Sequence, residues 1–262
     1  MTTWQAILLG AIQGLTEFLP VSSRGHLALA QALMPGFTQP GLVFDVTLHL
    51  GTVLAVLALE WRRIVEAFRE RYAFRLGGQL VLAMVGTAAI AVPLRHFAEQ
   101  AVRWPLLIAV GFVVTAGILV AVRNCAGNLD GPTMTWRAAA VVGVAQGVVV
   151  LLPGMSRSGT TIAAGLCSGL QRRWAADFSF LLSVPAILGA AVVEGWVHRS
   201  ELGAIREVLP QTLAGTATAA VTGFAALLLV RRLVHHGRLH LFAWYLLPLA
   251  ALTVLLAALD VW

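Results

Sequence analysis

Apolar residues are grouped along this chain into long blocks, and polar residues are largely confined to the gaps between them. A transmembrane helix needs about 20 consecutive apolar residues to cross the hydrocarbon core of a bilayer. Six blocks approach or reach that length, the second being on the short side: 42–59, 78–94, 104–122, 178–197, 209–230 and 241–259. The pattern therefore predicts six transmembrane helices.

Two further apolar segments, 4–34 and 136–170, are each interrupted near the middle by a short polar stretch. The interruptions are rich in Pro, Ser and Gly, and each flanking piece is too short to cross a bilayer. A helix, a broken loop and a second short helix are typical of a re-entrant hairpin that dips into the membrane and returns. The open backbone at such a break is tolerated only where protein or a watery cavity satisfies its hydrogen bonds. Two long spans kinked at proline are the alternative.

The two interrupted segments are copies of one motif. Residues 13–26, Q-G-L-T-E-F-L-P-V-S-S-R-G-H, return 133 positions later as Q-G-V-V-V-L-L-P-G-M-S-R-S-G at 146–159. If neither hairpin makes a net crossing, three spans separate the copies, so the second copy enters from the opposite side of the membrane. The sequence therefore predicts an all-α polytopic membrane protein with an inverted-topology repeat, in which residues 1–123 and 124–262 form the two halves of one membrane domain.

Composition agrees with a membrane protein, and the arginines orient it. The chain is 59% hydrophobic and 11% charged, with a mean hydropathy of +0.84, whereas soluble proteins carry about 25% charged residues. All eighteen basic residues are arginines. With Arg24 and Arg157 set aside as intramembrane, twelve fall on one predicted side of the membrane and four on the other (Arg95, Arg103, Arg199 and Arg206), which places the richer side in the cytoplasm and both termini outside. The net charge of +6 thus reflects topology and attraction to anionic lipid, and no nucleic-acid partner is expected.

Polar residues cluster at the two breaks. Gln13 and Glu17 are four residues apart and share one helix face just before the first break. Serine is a favoured helix N-cap, so each break predicts a half-helix whose free N–H groups and positive dipole end face a site. The polar residues at the breaks are Ser22, Ser23, Arg24 and His26 in the first copy, and Ser156, Arg157, Ser158, Thr160 and Thr161 in the second.

Two helix N-termini with arginine predict a receptor for an anion, and phosphate is the obvious one because guanidinium and backbone N–H groups both bind it. The Glu17 carboxylate would repel a bare anion. We therefore expect it to hold a divalent cation that bridges to phosphate oxygens, or to act as a base. The combination favours phosphoryl chemistry over simple anion binding.

These two motifs, together with F-D-V-T-L-H-L-G-T at 44–52 and D-F-S-F-L-L-S-V-P at 177–185, resemble the paired signature of the bacitracin-resistance type of undecaprenyl pyrophosphate phosphatase. Members of that family are bacterial inner-membrane enzymes that remove one phosphate from undecaprenyl pyrophosphate and so recycle the lipid carrier of cell-envelope synthesis. The resemblance implies a polyprenyl pyrophosphate substrate, a divalent cation (Mg²⁺ or Ca²⁺), an inverted-repeat fold and a site that opens toward the periplasm. A homodimer is a further expectation.

Carried over by motif position, the resemblance implies Glu17 as the essential acid, Ser23 and His26 as catalytic residues, and Arg157 as the phosphate clamp. Gln13 stands where many relatives have a second glutamate; its carbonyl oxygen can join Glu17 in binding a metal, but it cannot act as a base. The nucleophile stays open among Ser23, His26 and a metal-activated water. The residues expected to line the phosphate pocket are Ser22, Arg24, Ser156, Ser158, Thr160 and Thr161.

One rival function and the role of one pair of residues stay open, and a further function is disfavoured. An inverted repeat with broken helices is also the architecture of secondary carriers, so a polyprenyl-phosphate transporter or flippase is the main rival. A type-2 phosphatidic-acid phosphatase is disfavoured because S-R-S-G-T-T at 156–161 lacks the following His and Asp of that class. Asp45 and His49, again four residues apart, are either supporting residues of the site or polar groups at a helix interface.

Overall fold

The computed structural model describes residues 1–34, 36–37, 42–197 and 208–259. Arg199 and Arg206, used above to orient the chain, lie outside these ranges, as do residues 260–262. The described part of the chain is helical, apart from one isolated parallel bridge between Leu129 and Leu170. Its α-helices are α1 (Thr3–Phe18), α2 (Ser23–Ala32), α3 (Leu42–Arg69), α4 (Ala73–Ala91), α5 (Arg95–Ala101), α6 (Pro105–Ala121), α7 (Trp136–Val148), α8 (Arg157–Cys167), α9 (Arg172–Val197), α10 (Leu209–His235) and α11 (Ala243–Ala258).

Five helical segments are long and apolar enough to cross a membrane: α3, α4, α9, α10, and α11 together with the 3₁₀ turn before it, Leu239–Ala258. A sixth is α6 when it is counted with α5, which meets it at a bend of 102°. The prediction of an all-α polytopic membrane protein is confirmed. The short helix α5 is not predicted, because charged and polar residues interrupt its apolar pattern.

The two interrupted segments are helix pairs, α1 with α2 and α7 with α8. The longest of the four, α1, has 16 residues and extends about 24 Å at 1.5 Å per residue, short of the roughly 30 Å hydrocarbon core. A 3₁₀ turn, Val149–Leu151, extends the end of α7 before the second break. The helix, break and helix of each segment are therefore confirmed. The re-entrant placement, the inverted orientation of the halves and their boundary at residue 123 stay predictions.

Glycines allow the first helix of each pair to pack tightly against a span of the other half. α1 lies along α10, and α7 lies along α4. A Cβ atom at Gly10 would lie 2.2 Å from the carbonyl oxygen of Gly215, and one at Gly143 would lie 2.2 Å from that of Ala83. Gly10 and Gly143 occupy equivalent positions in the repeat, so both helices use the close approach of small residues that is common in membranes.

Two buried carboxylates and two partly exposed arginines join α3, α9 and α10. The carboxylates of Glu60 and Asp177 are fully buried. Arg231 donates to Glu60 and, at 2.9 Å, to Asp177, while Arg63 pairs with Asp177 and, at 3.1 Å, with Glu60. Two negative and two positive charges balance inside the bundle, which limits the cost of burying them. This pairing explains why α3 continues past residue 59 and why α9 begins before residue 178, beyond the apolar blocks.

Candidate active site

The carboxylate of Glu17 is the centre of the polar cluster at the two breaks. It lies in the last turn of α1 and is buried. One oxygen, Oε1, accepts a hydrogen bond from Arg157 Nη2 at 2.8 Å. The other, Oε2, accepts from Ser23 Oγ at 2.7 Å and from Gln13 Nε2 at 2.9 Å. One carboxylate thus contacts both copies of the motif, and the structure brings together Glu17, Ser23 and Arg157.

The local sequence explains why these side chains converge on Glu17. Pro20 cannot extend α1, and the chain turns extended at Leu19. Ser22 and Ser156 are the N-caps of α2 and α8; the Ser22 hydroxyl accepts from the Gly25 N–H at 3.3 Å and the Ser156 hydroxyl from the Gly159 N–H at 3.1 Å. Each half-helix therefore begins at the residue after its cap, with its N-terminus beside the carboxylate.

Relative to the aligned motif, helix α2 begins one residue earlier than helix α8. The motif alignment pairs Arg24 with Arg157, but Ser22 caps α2, so Arg24 is the second helical residue there, whereas Arg157 is the first residue of α8. One residue rotates a side chain by about 100° around the helix axis. Arg157 contacts Glu17, while Arg24 is exposed and makes no hydrogen bond or ion pair within the described part of the chain. The structure thus does not place Arg24 with the other break residues.

His49 belongs to the cluster, which favours the first of the two alternatives left open for it. Its Nδ1 lies 2.8 Å from Gln13 Nε2 and 3.4 Å from Glu17 Oε2. Because Gln13 binds both His49 and Glu17, it joins α1 to α3 at the site. The sequence signal was the four-residue spacing of Asp45 and His49, which alone did not distinguish a site from a helix interface.

His26 is held outside the Glu17 cluster. Its Nδ1 contacts the Ser22 carbonyl oxygen and its Nε2 the Tyr245 hydroxyl, each at 2.7 Å. The His26 ring stacks on Tyr245, with centroids 5.7 Å apart and planes 15° apart. Neither ring nitrogen is hydrogen-bonded to Glu17 or Ser23 among the described residues. Tyr245 was not predicted, since a tyrosine in an apolar span carries no local signal of a partner 219 positions away.

Two serines that are predicted to bind phosphate, Ser22 and Ser158, form hydrogen bonds between the two breaks. Ser22, at the unusual φ of 70°, donates to the Pro153 carbonyl at 2.7 Å. In return, Ser158 donates to the Leu19 carbonyl at 3.2 Å, and it also lies 3.2 Å from the Ser156 hydroxyl. These reciprocal bonds satisfy backbone groups that the breaks leave open. A role for Ser22, Ser156 and Ser158 in binding phosphate stays a prediction.

The two threonines of the second copy differ in their surroundings. The Thr161 hydroxyl lies 2.6 Å from that of Ser179 on α9 and 2.8 Å from the Arg157 carbonyl. The Thr160 hydroxyl is buried and makes no hydrogen bond to the described residues. Thr161 therefore anchors α8 to α9, and Thr160 keeps hydrogen-bonding capacity for another group. Their contact with phosphate stays a prediction.

The oxygen ligands at the site suit a divalent cation whose remaining coordination positions are filled by substrate. Glu17 offers a carboxylate, and Gln13 Oε1 is a buried acceptor without a hydrogen-bond partner among the described residues. Oxygen ligands of this kind suit Mg²⁺ and Ca²⁺, and Mg²⁺ often binds one or two carboxylates together with substrate phosphates. The described ranges contain no group of three or more His, Cys, Asp or Glu side chains that would hold a metal alone. The residues present therefore fit a cation shared with a phosphate ligand.

Comparison with known proteins finds one family along nearly the whole chain. Residues 6–252 match the family model described as "Bacitracin resistance protein BacA". A protein of Syntrophotalea carbinolica named undecaprenyl-diphosphatase is 41% identical over 258 residues, covering 94% of this chain and 95% of its own. Proteins with the same name from Carboxydothermus hydrogenoformans (37% identical, 98% of each chain) and Methanosphaera stadtmanae (32% identical, 96% and 97%) are also similar.

Proposed function

The chain belongs to the BacA bacitracin-resistance family, and from that premise we propose that it hydrolyses undecaprenyl diphosphate to undecaprenyl phosphate and inorganic phosphate. The name of its relatives supports the substrate. The observation that carries the chemistry is the buried Glu17 carboxylate in contact with Ser23 from one break and Arg157 from the other. In this function the enzyme recycles the lipid carrier of envelope synthesis, which accords with a family described by bacitracin resistance.

Arg157 and the two half-helix N-termini bind the diphosphate. The guanidinium group carries five N–H donors in a planar fork, and the one hydrogen bond its side chain makes within the described ranges goes to Glu17. Arg157 can therefore hold Glu17 and still grip a phosphate with its other donors. The N-termini of α2 and α8 add backbone N–H groups and positive dipole ends. A divalent cation at Glu17 and Gln13 would, when bound, neutralise further charge on the diphosphate.

Ser23 is the preferred nucleophile because its hydroxyl already donates to Glu17. As Oγ attacks the terminal phosphorus, the new O–P bond forms, the bond to the bridging oxygen breaks, and undecaprenyl phosphate leaves. Glu17 takes the Ser23 proton, and water then hydrolyses the phosphoserine to release inorganic phosphate. Direct attack by water, with Ser23 as a hydrogen-bond donor, and attack by His26 are the two alternatives. Positioning and charge neutralisation supply most of the rate enhancement in all three mechanisms.

The enzyme is proposed to work in the bacterial plasma membrane with its site open to the periplasm and both termini outside. The arginine asymmetry supports this orientation. Among the described residues, the arginine-rich ends of α3 and α10 lie on the side of Glu60, which is 11 residues beyond His49 on α3, about 17 Å along the helix. The site is therefore far from the side proposed to be cytoplasmic.

Phosphate release by the purified protein tests this function. Protein in detergent, supplied with undecaprenyl pyrophosphate and either Mg²⁺ or Ca²⁺, should release inorganic phosphate, and Glu17→Ala and Arg157→Ala should each lower the rate at least about a hundredfold. The matched controls are Glu70→Ala and Arg232→Ala, because both side chains are exposed at the arginine-rich ends of α3 and α10. Size-exclusion profiles and thermal unfolding should show that all four variants are folded.

Absence of phosphate release across a series of divalent ions would refute the proposal. Movement of a polyprenyl phosphate across liposomes without hydrolysis would instead support a carrier.

A further inference from the structure

Tyr245 on α11 joins the first break to the last span through His26. The phenol oxygen lies 2.7 Å from Nε2 of His26, and the two rings are stacked. On its other side the His26 ring packs edge-on against the buried ring of Phe112, with centroids 5.6 Å apart. The imidazole is therefore held between two aromatic rings and by hydrogen bonds at both nitrogens.

This arrangement selects one tautomer of His26. A backbone carbonyl oxygen can only accept, so Nδ1, which faces the Ser22 carbonyl at 2.7 Å, carries a hydrogen. In the neutral ring Nε2 then bears the lone pair, and the Tyr245 hydroxyl donates to it. Nε2 is thereby the unprotonated nitrogen of His26, and its lone pair is held by the Tyr245 hydroxyl until that hydrogen bond is exchanged.

The position of His26 on α2 places this nitrogen beside the proposed chemistry. His26 follows Ser23 by three residues, so the two side chains lie on neighbouring parts of one helix face. Ser23 is bound to Glu17, whereas Nε2 of His26 faces Tyr245. A substrate phosphate at the N-terminus of α2 would meet Ser23 first and the His26–Tyr245 pair next.

We infer that Tyr245 is a positioning residue of the site: its ring and hydroxyl hold the His26 ring, whose tautomer the Ser22 carbonyl sets, in one orientation, and Nε2 exchanges its hydrogen bond from Tyr245 for the proton it takes in the reaction. The inference rests on the proposed function, because it gives Tyr245 a role through His26 in the same reaction. Tyr245 acts on the ring of His26 and not on the reacting atoms. Losing one neutral hydrogen bond of this kind has a modest effect, of about 2- to 10-fold.

The test replaces one hydroxyl and keeps the ring. Tyr245→Phe should lower kcat about 2- to 10-fold and leave KM within about twofold, because orientation of His26 is lost while phosphate binding is kept. The chain has two tyrosines, and Tyr72, between α3 and α4, supplies the matched control. Tyr72→Phe should leave both constants unchanged.

A double-mutant cycle shows whether Tyr245 acts through His26. In a His26→Ala background, Tyr245→Phe should cause no further fall in kcat, because residues that act as one unit are not additive. An equal fall in both backgrounds would show that Tyr245 acts without His26 and would overturn the inference. Wild-type rates for Tyr245→Phe would overturn it as well.

A spectroscopic measurement keeps the inference testable when His26→Ala has no measurable activity. Nitrogen NMR of protein labelled at its seven histidines, with His26→Ala assigning the resonance, should show Nδ1 protonated and Nε2 unprotonated. Tyr245→Phe should shift the Nε2 resonance, and Tyr72→Phe should not. An unchanged Nε2 resonance in Tyr245→Phe would refute the contact.

If the wild type releases no phosphate, the proposed function fails, while the NMR result still decides whether Tyr245 holds His26.

Discussion

Removal of Arg231 should destabilise the protein strongly, because that side chain neutralises two fully buried carboxylates. Arg231→Gln leaves Glu60 and Asp177 sharing the single guanidinium of Arg63. Breaking one partner of a buried ion pair typically costs about 3–5 kcal/mol, most of it from the uncompensated charge. Arg231 is about a quarter exposed, whereas both carboxylates are inaccessible, so water can relieve little of that cost.

The adjacent arginine provides the control. Arg232 is exposed on the same turn of α10 and makes no side-chain hydrogen bond to the described residues, so Arg232→Gln should change the free energy of unfolding by less than about 0.5 kcal/mol. Denaturant-induced unfolding in detergent micelles, followed by tryptophan fluorescence, would compare the two variants with the wild type.

A charge-balanced double variant tests the reasoning itself. Asp177→Asn together with Arg231→Gln removes one charge of each sign and leaves the Glu60–Arg63 pair, which are 3.1 Å apart. The double variant should be more stable than the sum of the two single effects predicts, by about 1–3 kcal/mol. Additive effects, or equal stability of Arg231→Gln and Arg232→Gln, would refute the view that charge balance in this network stabilises the bundle.

Two further predictions concern the breaks and the helix contacts. Ser23→Ala should lower kcat at least about a hundredfold, and rapid quenching of the wild type should trap phosphoserine at Ser23; a variant that keeps near-normal kcat would favour direct attack by water. Gly143→Ala should destabilise the fold by about 1–3 kcal/mol, because its Cβ would lie 2.2 Å from the Ala83 carbonyl oxygen. Gly77→Ala on the same α4–α7 layer has open space around it and should stabilise the helix by up to about 1 kcal/mol; equal unfolding midpoints for the two glycine variants would contradict the packing argument.

The class of the protein and the positions of its two helix breaks were predictable from local pattern. Apolar blocks match the thickness of a bilayer, and a single helix satisfies its own backbone there, so length and hydropathy alone indicate the spans. Pro20, Pro153 and the capping serines interrupt helices by their own chemistry, and the breaks occur where predicted. Glu17 and Gln13 share a face by spacing, and they are hydrogen-bonded in the structure.

Residues that depend on neighbouring helices were only partly predictable. His49 was left undecided and Tyr245 was missed, because each meets the site from a span whose rotation and depth are set by packing. His26 was predicted as a catalytic residue and that role stays a prediction; its hydrogen bonds go to Ser22 and Tyr245. The inverted orientation of the halves is a global property that stays a prediction.

By itself the sequence determined a multi-span helical membrane protein with two broken segments that carry Glu17, Ser23 and Arg157. Only the tertiary structure decided which side chains meet. Arg157 contacts Glu17 from the other copy of the motif, whereas Arg24 is exposed; the residue that the repeat pairs with Glu17 is Val150, which offers Arg24 no carboxylate. The partners His49 and Tyr245 come from other helices, and the packing of those helices, which the spacing within one motif does not give, decides which side chains they meet.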